Sequence, residues 1–568
     1  MIQYQVTPYQ SSRNRIKIEA TFPCDAEETE LFMCAWRPGR YEEGNFTRLV
    51  SHLNVFDDRS QKRKVEKTGK NSWKTVTSGT KFITVSYLYT GNAFNAGNTY
   101  FDEKILLINP VNSLIYSDIN YSAGIALCIH NPRKNYGFSS KKTSQLIVED
   151  YDQLFDQPVL NATDVKTLHY EVNGIPFYLD IWGMPPLPEE RLLSDFKAFT
   201  QQQIQDFGEF PAKEFHFLLL GTPQYYLHGV EHLNSTVIVL GPNTEFTEAF
   251  YFRLLSVASH ELYHVWNIKS LRPKELLPYR YQSLNYSRMG YIYEGVTTYL
   301  GDLYLLRSGV ISADKYLNVL EEYIQKHIDN PGRFSCSVAD SSVDTWVDGY
   351  VPGTPGRKVS IYNEGALIAF MIDVQLRVST RNKVCLETFM KQLYHQFGKQ
   401  GPGYTQQNVL TLLFDLSAFD FTAFFERYVD HANGYEVGIS NALEALALEM
   451  HLCKAKSAFI RSTGIRTLEL QGECTVHSLA EGSPGEMAGI CEGDALIGFN
   501  DQPFTRAVAE AFFDQEEVNE ANITLRRNYR EMVLTLPIVQ RTFYPHVQLR
   551  KANTDDKQKL KNQELFGI

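Results

Sequence analysis

Apolar and polar side chains alternate along short segments of the first 165 residues. In Arg15–Phe22 and Phe82–Tyr89 every second residue is apolar, and turn-forming residues separate such segments. A period of two is typical of strands that bury one face and expose the other. The pattern therefore predicts an N-terminal β-sandwich-like domain over residues 1–165.

The apolar spacing becomes helical after residue 188, with strand-like runs at Glu214–Leu220 and Ser235–Leu240. This mixture predicts an α+β lobe joined to a helical lobe, which we expect over residues 166–454. The longest predicted helices are Glu190–Phe207, Phe246–Ile268, Gly290–Ser308 and Gly365–Val378.

Short strand-like runs return after residue 455, around one predicted helix at Ala507–Glu517. About 90 residues are enough for a small domain, which we expect over residues 455–545. Charged and polar side chains dominate residues 546–568. We expect a polar C-terminal tail there, in which the stretch Lys551–Gln563 frays. The fold class expected for the whole chain is multidomain α+β.

Composition excludes several classes of protein. Of the 568 residues, 43% are hydrophobic and 21% are charged, which is typical of globular chains rather than disordered or fibrous ones. The formal net charge of −11 offers no basic field for phosphate backbones, so we expect no nucleic-acid partner. No apolar run approaches the ~20 residues that span a bilayer, so we expect no membrane span.

The start of the chain and its cysteines bear on location. The first residues show no basic stretch followed by an apolar one, and the eight cysteines form no CxxC pair. Both observations favour a cytoplasmic protein with reduced thiols. A periplasmic location stays open, because a leader removed before residue 1 would leave no trace.

The strongest chemical signal is the segment HELYH at residues 260–264 within a predicted helix. Because residues i and i+4 share one helix face, His260 and His264 can bind one zinc ion. Glu261 lies beside the first histidine and can act as general base towards the attacking water. A chance match is the alternative, but it leaves these three polar residues on an apolar helix without a shared role.

A catalytic zinc ion takes a third protein ligand and keeps one position open. The segment YIYEGVTTYL at residues 291–300 carries one acidic residue, Glu294, among apolar and aromatic neighbours. A buried carboxylate is costly unless it is paired or bound to metal, so Glu294 is the predicted third ligand of one Zn²⁺ per chain. The alternative is a capping or salt-bridged glutamate. We expect Trp266 and Asn267 to hold the metal-binding helix in place.

Several segments together carry a family resemblance. HELYHVWN followed by YEGVTTY resembles the HExxHxWN…EGxT pattern of the PDZ-containing glycyl aminopeptidase family of zinc metallopeptidases, which are gluzincins. HGVEHLNS at His228–Ser235, IYNEGAL at Ile361–Leu367 and WRPGRY at Trp36–Tyr41 are similar to further segments of that family. The resemblance extends over essentially the whole chain and implies a thermolysin-like catalytic domain with a helical lobe. It also implies an aminopeptidase that removes N-terminal Gly or Ala from peptides with a free N-terminus.

The resemblance implies roles for further residues. Glu231 would bind the α-ammonium group of the substrate, since a carboxylate near the metal pairs with a cation and excludes peptides that lack one. Gly229 would let the strand backbone approach the bound peptide. For Glu231 the alternative is an ordinary surface residue of an edge strand.

The resemblance implies that Tyr362 donates a hydrogen bond to the developing oxyanion. Tyr362 and Glu261 are then the two expected catalytic residues. This chain departs from the family next to Tyr362, because Glu364 stands where a lysine is usual. The charge around the oxyanion and the identity of its donor therefore stay open.

The segment SPGEMAGICEGDALIGFN at Ser483–Asn500 resembles the signature of PDZ domains. The resemblance implies a PDZ-like domain over residues 455–545, with the carboxylate of a C-terminal peptide held near the loop 463–466. The alternative is a purely architectural domain.

The expected function is that of a zinc aminopeptidase. Two alternatives stay open, namely a zinc endopeptidase of the same fold and a catalytically silent scaffold that binds peptides through its PDZ-like domain. The scaffold is disfavoured because the predicted base and all three predicted ligands are chemically competent residues.

Overall fold

The computed structural model describes residues 1–117, 124–137, 145–349, 353–399, 401–470, 472–515, 520–537, 539 and 541–568. The fold is a multidomain α+β arrangement that begins with a β-rich domain. The backbone divides into two compact units. The larger comprises Met1–Tyr316, Pro331–Ala442 and Lys561–Ile568, and the smaller comprises Leu317–Asn330 and Leu443–Leu560.

Strands dominate the first part of the larger unit, as predicted. They are β1 (Ile2–Gln10), β2 (Arg15–Pro23), β3 (Glu28–Phe32), β4 (Val50–Asp57), β5 (Lys62–Arg63), β6 (Val65–Lys67), β7 (Ser72–Val76), β8 (Phe82–Thr90), β9 (Tyr100–Phe101), β10 (Ile105–Ile108), β11 (Ile125–Ile129), β12 (Lys134–Tyr136), β13 (Gln145–Val148) and β14 (Val159–Ala162). Two short helices, α1 (Pro110–Ser113) and α2 (Tyr151–Phe155), and 3₁₀ turns at Ser11–Arg13 and Phe46–Leu49 connect them.

These strands form three sheets. The largest has the order β13-β11-β1-β2-β8-β4-β5, and two smaller sheets have the orders β3-β7-β6 and β12-β14-β10-β9. Strands β2 and β8 pair antiparallel, and in both of them alternate residues are buried, which confirms the predicted period of two. Side chains of the largest sheet share a core with Leu31 and Trp73 of the β3-β7-β6 sheet.

The remainder of the larger unit combines a sheet with helices. Its strands are β15 (Lys166–Val172), β16 (Ile175–Trp182), β17 (Phe215–Gly221), β18 (Tyr226–Glu231) and β19 (Ser235–Gly241). Its helices begin with α3 (Glu189–Phe207), α4 (Glu248–Tyr263) and α5 (Thr297–Arg307). Helix α6 (Ala313–Asp329) starts at the end of the first segment of the larger unit, and its residues from Leu317 onward belong to the smaller unit. The helical part of the larger unit continues with α7 (Val338–Asp348), α8 (Ile361–Thr380), α9 (Leu386–Phe397), α10 (Gln406–Ser417), α11 (Thr422–Phe425) and α12 (Glu436–Ala445). There are 3₁₀ turns at Lys274–Leu276 and Pro331–Phe334, and π-helical turns at Tyr291–Val296 and Glu426–Asp430.

The sheet of this region has the order β15-β16-β17-β19-β18, which leaves β18 at an edge. Strands β16, β17 and β19 run parallel, whereas β15 and β18 are antiparallel to their neighbours. Leu218 and Val239 of this sheet share a core with Leu107 and Leu160 of the β12-β14-β10-β9 sheet. The N-terminal strands therefore pack directly against the sheet that carries β18.

Two predicted helices differ from those observed. Helix α4 ends at Tyr263 rather than at Ile268, and Ile268 has a φ of 102°, a backbone conformation that no helix contains. The predicted helix Gly290–Ser308 begins with the π-helical turn Tyr291–Val296. Apolar spacing cannot distinguish these backbones because each keeps the same side chains buried.

The smaller unit contains most of the C-terminal elements. They are β20 (Leu448–Cys453), α13 (Ala458–Thr463), β21 (Ile465–Leu470), β22 (Glu473–Leu479), α14 (Pro484–Met487), β23 (Ala495–Phe499), β24 (Gln502–Pro503), α15 (Arg506–Phe513), β25 (Glu520–Arg527), β26 (Arg530–Pro537) and β27 (His546–Lys551). A last helix, α16 (Lys557–Phe566), follows and ends within the part assigned to the larger unit. The sheet order is β21-β22-β23-β25-β26, with β24 paired to β23. Residues 516 and 517 of the predicted helix Ala507–Glu517 lie outside the described residues.

The expected fraying of Lys551–Gln563 is wrong, because α16 covers Lys557–Phe566 and Asn562 within it is buried. Strand β27 pairs antiparallel with β20, and Phe566 at the end of α16 is fully buried near Phe370. The apolar alternation in β27 involves only Val547 and Leu549, which is too short a pattern to stand out in a polar sequence. None of the described helices is long and apolar enough to cross a membrane.

Candidate active site

The structure brings His260, His264 and Glu294 together. The Nε2 atom of His264 lies 3.3 Å from Oε2 of Glu294, and Nε2 of His260 lies 3.7 Å from the same oxygen. One ligand atom from each residue lies within 4.8 Å of the other two. Helix α4 supplies His260, the residue that caps its C-terminus is His264, and the π-helical turn before α5 supplies the carboxylate.

Hydrogen bonds orient His264 and the chain that follows it. Its Nδ1 lies 3.0 Å from the carbonyl oxygen of Asn267. Because a carbonyl oxygen only accepts, Nδ1 carries the proton and Nε2 is left to face Glu294. The Asn267 amide donates to the carbonyl of Ile292 and to Thr297, and the Trp266 indole donates to the carbonyl of Glu209. The Asn267 bonds tie the chain after α4 to the turn that carries Glu294, and the Trp266 bond ties it to the segment that follows α3.

Three glycines allow the helices around the site to approach closely. A Cβ on Gly301 of α5 would lie 3.1 Å from the Cα of His260. A Cβ on Gly295 would lie 2.3 Å from the Cα of Gly365, and a Cβ on Gly365 would lie 2.6 Å from the Cα of Gly295. Glycine is therefore required where Tyr291–Val296 crosses α8, and this crossing sets Glu294 against the first turn of α8.

The charges of the three residues are mutually dependent. Burial raises the pKa of Glu294, but the two histidines outweigh it and hold the pKa at about 2. Burial lowers the pKa of His264, but Glu294 outweighs it and raises the pKa to about 10. Burial and the neighbouring His264 lower the pKa of His260, which favours the neutral imidazole that binds metal. A permanently ionised carboxylate therefore lies between two imidazoles.

Glu261 is buried beside this cluster, and its Oε2 atom has no hydrogen-bond partner among the residues that the structure describes. Burial raises its pKa well above the ordinary value, and the carboxylates of Glu231 and Glu294 add to that rise. A Cβ on Gly229 of β18 would lie 2.1 Å from Oε1 of Glu261. A larger residue there would displace the Glu261 carboxylate, so the backbone of the edge strand lies directly against it.

Glu231 ends strand β18, where only 4% of its surface is exposed and its Oε1 atom has no hydrogen-bond partner. Single ligand atoms of Glu231, Glu261 and His264 also lie within 4.8 Å of one another. The structure thus gathers three buried carboxylates around two histidines. Unpaired buried carboxylates are costly, so the cluster suits positively charged ligands.

The N-terminal domain contributes to the same site through residues whose role the sequence did not show. A Cβ on Gly39, whose φ is 76°, would lie 2.4 Å from Oε2 of Glu231. The ring of Tyr41 lies 5.0 Å from the ring of Tyr293, and Glu294 and Glu231 add to the rise that burial causes in the pKa of Tyr41. The segment WRPGRY had marked both residues, but nothing in it indicated their contact with Glu231.

Tyr362 lies in the first turn of α8, which Ser360 caps by accepting a hydrogen bond from the amide of Asn363. Its half-buried ring lies 6.3 Å from the ring of His260. Glu364 is buried, and its charge contributes to the raised pKa of Tyr435. Tyr362 therefore lies beside the histidines, whereas Glu364 lies close to Tyr435.

The donor set fits a zinc ion. Two imidazoles and one carboxylate form the ligand set found in zinc hydrolases, and all three side chains come from helical backbone whose packing is fixed on the other side. The carboxylate oxygens of Glu231 and Glu261 without partners add negative charge for a dication and a cationic substrate.

Sequence comparisons match two parts of the chain to known families. Residues 253–368 match the M61 glycyl aminopeptidase family, and residues 3–163 match the peptidase M61 N-terminal domain. No curated protein matches the chain.

Solved structures with a similar fold include an aminopeptidase N family protein from Idiomarina loihiensis. It is 24% identical, with a TM-score of 0.90 and 99% of each chain covered. An M1 zinc metallopeptidase from Deinococcus radiodurans is 12% identical, with a TM-score of 0.43 and coverage of 73% of this chain and 89% of that one. Legionella pneumophila aminopeptidase A is 11% identical, with a TM-score of 0.47 and coverage of 97% and 57%. The first of these shares the fold over its whole length.

Proposed function

Because the chain belongs to the M61 glycyl aminopeptidase family and is a metallo-aminopeptidase, we propose that it uses one zinc ion to remove N-terminal glycine or alanine from peptides. The observation that carries the proposal is the convergence of His260, His264 and Glu294, with 3.3 Å between His264 and the carboxylate. Zn²⁺ bound by these residues would supply a Lewis acid that polarises the scissile carbonyl and lowers the pKa of water.

Glu261 is the general base of this proposal. Its carboxylate is buried beside His264, and the raised pKa makes it a stronger proton acceptor than an exposed glutamate. It accepts the proton of the attacking water at Oε2, the atom without a partner, and returns it to the leaving amine. The closeness of Gly229 directs the carboxylate towards the peptide, which would lie along β18.

Glu231 binds the α-ammonium group and so restricts the enzyme to chain ends. Two observations support this role. Its buried Oε1 atom has no hydrogen-bond partner among the described residues, and its carboxylate lies close to Glu261 and His264. A charge-assisted hydrogen bond to an ammonium group compensates the desolvation that this carboxylate bears. Gly39 lies against the same carboxylate and limits the room beside it, which supports a preference for small first residues.

Tyr362 is the proposed donor to the oxyanion. Its ring lies 6.3 Å from the ring of His260, and a phenol there can donate to oxygen without adding charge. The PDZ-like character of the smaller unit and the boundaries 1–165, 166–454, 455–545 and 546–568 are part of the same proposal.

Two measurements on the purified chain test the function. Metal analysis should find about one zinc per chain, lost in Glu294→Ala and retained in Glu261→Gln. Hydrolysis of Gly- and Ala-arylamides should exceed that of Leu-arylamides, and N-acetylated peptides should resist cleavage. Cleavage of blocked peptides at the same rate would favour an endopeptidase, and a chain without stoichiometric zinc would favour the scaffold.

A further inference from the structure

Glu231 cannot fix its own position. It ends an edge strand with a single hydrogen-bonded neighbour, β19, and its Oε1 atom has no hydrogen-bond partner among the described residues. A displacement of about 1 Å in such a group can cost 10²-fold in rate, so something else must hold the strand end.

The turn after Glu231 is bound by Asp156, which directly follows α2 of the N-terminal domain. Its Oδ1 lies 3.1 Å from Nδ1 of His232, and its Oδ2 accepts the amide of Leu233 at 2.9 Å. The next residue along, Gln157, exchanges two side-chain hydrogen bonds with Asn234 at 3.1 and 3.2 Å. His232 and Asn234, which make these contacts, belong to the HGVEHLNS segment and have no role in the proposed catalysis.

The same carboxylate reaches the metal-binding helix. Nζ of Lys269 lies 2.6 Å from Oδ1 of Asp156, and the side chain of Lys269 is only 2% exposed. The Lys269 amide donates to the carbonyl of His264 at 3.0 Å. One partly buried carboxylate thus joins the residue next to Glu231 to the chain that leaves the predicted zinc ligand.

We propose that Asp156 is a positioning residue that fixes the amine-binding Glu231 relative to His264, an inference that rests on the proposed function. The N-terminal domain thereby takes part in substrate recognition without touching the substrate. The ionic pair with Lys269 keeps the carboxylate charged, and the pKa of Asp156 is held at about 2, since Lys269 and His232 outweigh the effect of burial.

The kinetic test is a double-mutant cycle with Gly-arylamide. Asp156→Asn places an amide NH₂ group near Lys269 and His232 and should raise KM by about 10-fold while kcat changes by less than about 3-fold. In the Glu231→Gln background the same substitution should add less than about 2-fold, because the residue through which it acts is already impaired. Equal increases in both backgrounds would overturn the proposal.

Two further variants separate positioning from stability. The double variant Asp156→Asn/Lys269→Met leaves no buried charge unpaired, so it should fold, and it should show the same rise in KM. Asp57→Asn is the matched control. Asp57 is a buried carboxylate of the N-terminal domain that accepts hydrogen bonds from two backbone amides and pairs with Arg63, but it makes none of the contacts described for Asp156. This control should lower the melting temperature and leave KM unchanged.

Hydrogen exchange gives a readout that does not depend on activity. In Asp156→Ala the amides of residues 229–235 should exchange faster than in the wild type, and in Asp57→Asn they should not. Unchanged exchange in Asp156→Ala would overturn the positional link. A wild-type chain without aminopeptidase activity would instead contradict the proposed function, while the exchange result would still decide whether Asp156 holds the strand end.

Discussion

Each of the two units has a sheet whose edge could accept a peptide. Near one edge buried polar atoms have no hydrogen-bond partner, whereas at the other edge the polar groups are hydrogen-bonded. At β18 in the larger unit, the buried carboxylates of Glu231 and Glu261 each have an oxygen without a partner. At β21 in the smaller unit, Arg506 of α15 donates to the carbonyl of Thr467 at 2.6 Å and to its hydroxyl at 3.1 Å. Two backbone amides that precede or begin β21, those of Gly464 and Ile465, also have hydrogen-bond partners.

The loop 463–466, where a peptide carboxylate was expected, uses its amides internally. The Gly464 amide donates to the carbonyl of Ile460, and the Ile465 amide donates to the hydroxyl of Thr463. Buried polar groups without partners are rare in folded proteins and call for a ligand, whereas satisfied ones stabilise the fold. The difference favours catalysis at β18 and an architectural role for β21, and each prediction below tests one side of it.

The largest expected effect is at Glu261. Glu261→Gln should lower kcat by about 10²–10⁴-fold with zinc retained, because the general base is lost. It should also raise the melting temperature of the metal-free chain, since the raised pKa of Glu261 means that its ionised form destabilises the fold. Kinetics and thermal unfolding at pH 7 check both.

The matched control is a carboxylate of the smaller unit that is fully paired. Arg527 and the amide of Cys491 hold Asp494, and they outweigh burial and lower its pKa. Asp494→Asn should therefore lower stability at pH 7 and leave kcat unchanged. Because the pKa is lowered, this stabilisation is present above pH 4 and is lost as the pH falls further. A more stable Asp494→Asn variant would contradict the comparison.

The next effect is expected at Tyr362. Tyr362→Phe removes the proposed oxyanion donor and should lower kcat by about 10²-fold, with KM little changed. Tyr529→Phe, at a phenol that is 99% exposed in the smaller unit, is the control and should behave as the wild type. A fully active Tyr362→Phe enzyme would assign the oxyanion to another donor.

A smaller effect is expected at Glu231. Glu231→Gln should raise KM for Gly-arylamide by about 10–100-fold, as expected for the loss of a charge-assisted hydrogen bond. The acetyl-arylamide, which differs from this substrate only by the missing amine, should be cleaved equally slowly by both enzymes. A comparable loss with both substrates would mean that Glu231 does not read the amine.

The smallest effect is expected at the other edge. Arg506→Ala should change Gly-arylamide kinetics by less than about 2-fold, since the bonds described for Arg506 go to Thr467 of the same unit and to no residue of the candidate active site. Fluorescence anisotropy should detect no binding of the wild type to a library of peptides with a free C-terminal carboxylate. Tight binding by the wild type would break the comparison, because satisfied polar groups would then coexist with a working peptide site.

The sequence predicted those parts of the molecule whose signal is local. Strand β2 follows from the alternation that begins at Ile16, and the approach of His260 to His264 follows from a spacing of four residues on one helix. Glu294 was predicted because a single carboxylate in an apolar helix needs a partner.

Parts of the site that depend on long-range packing could not be predicted. Asp156 lies in no recognised segment, yet it meets Lys269 across 113 positions of sequence. Gly39 reaches Glu231 through the fold of a separate domain. The π-helical backbone at Glu294 keeps the apolar pattern of an α-helix, so the pattern contains no information about it.

The crossing of Gly295 with Gly365 limits how this enzyme can vary. At most sterically tight contacts, an enlargement on one side can be relieved by a smaller residue on the other, and such pairs of changes are found as second-site suppressors. Here each missing Cβ faces the Cα of the other glycine, and neither residue can become smaller. No compensating substitution therefore exists at these two positions, and a library designed to alter substrate preference should leave both codons unchanged.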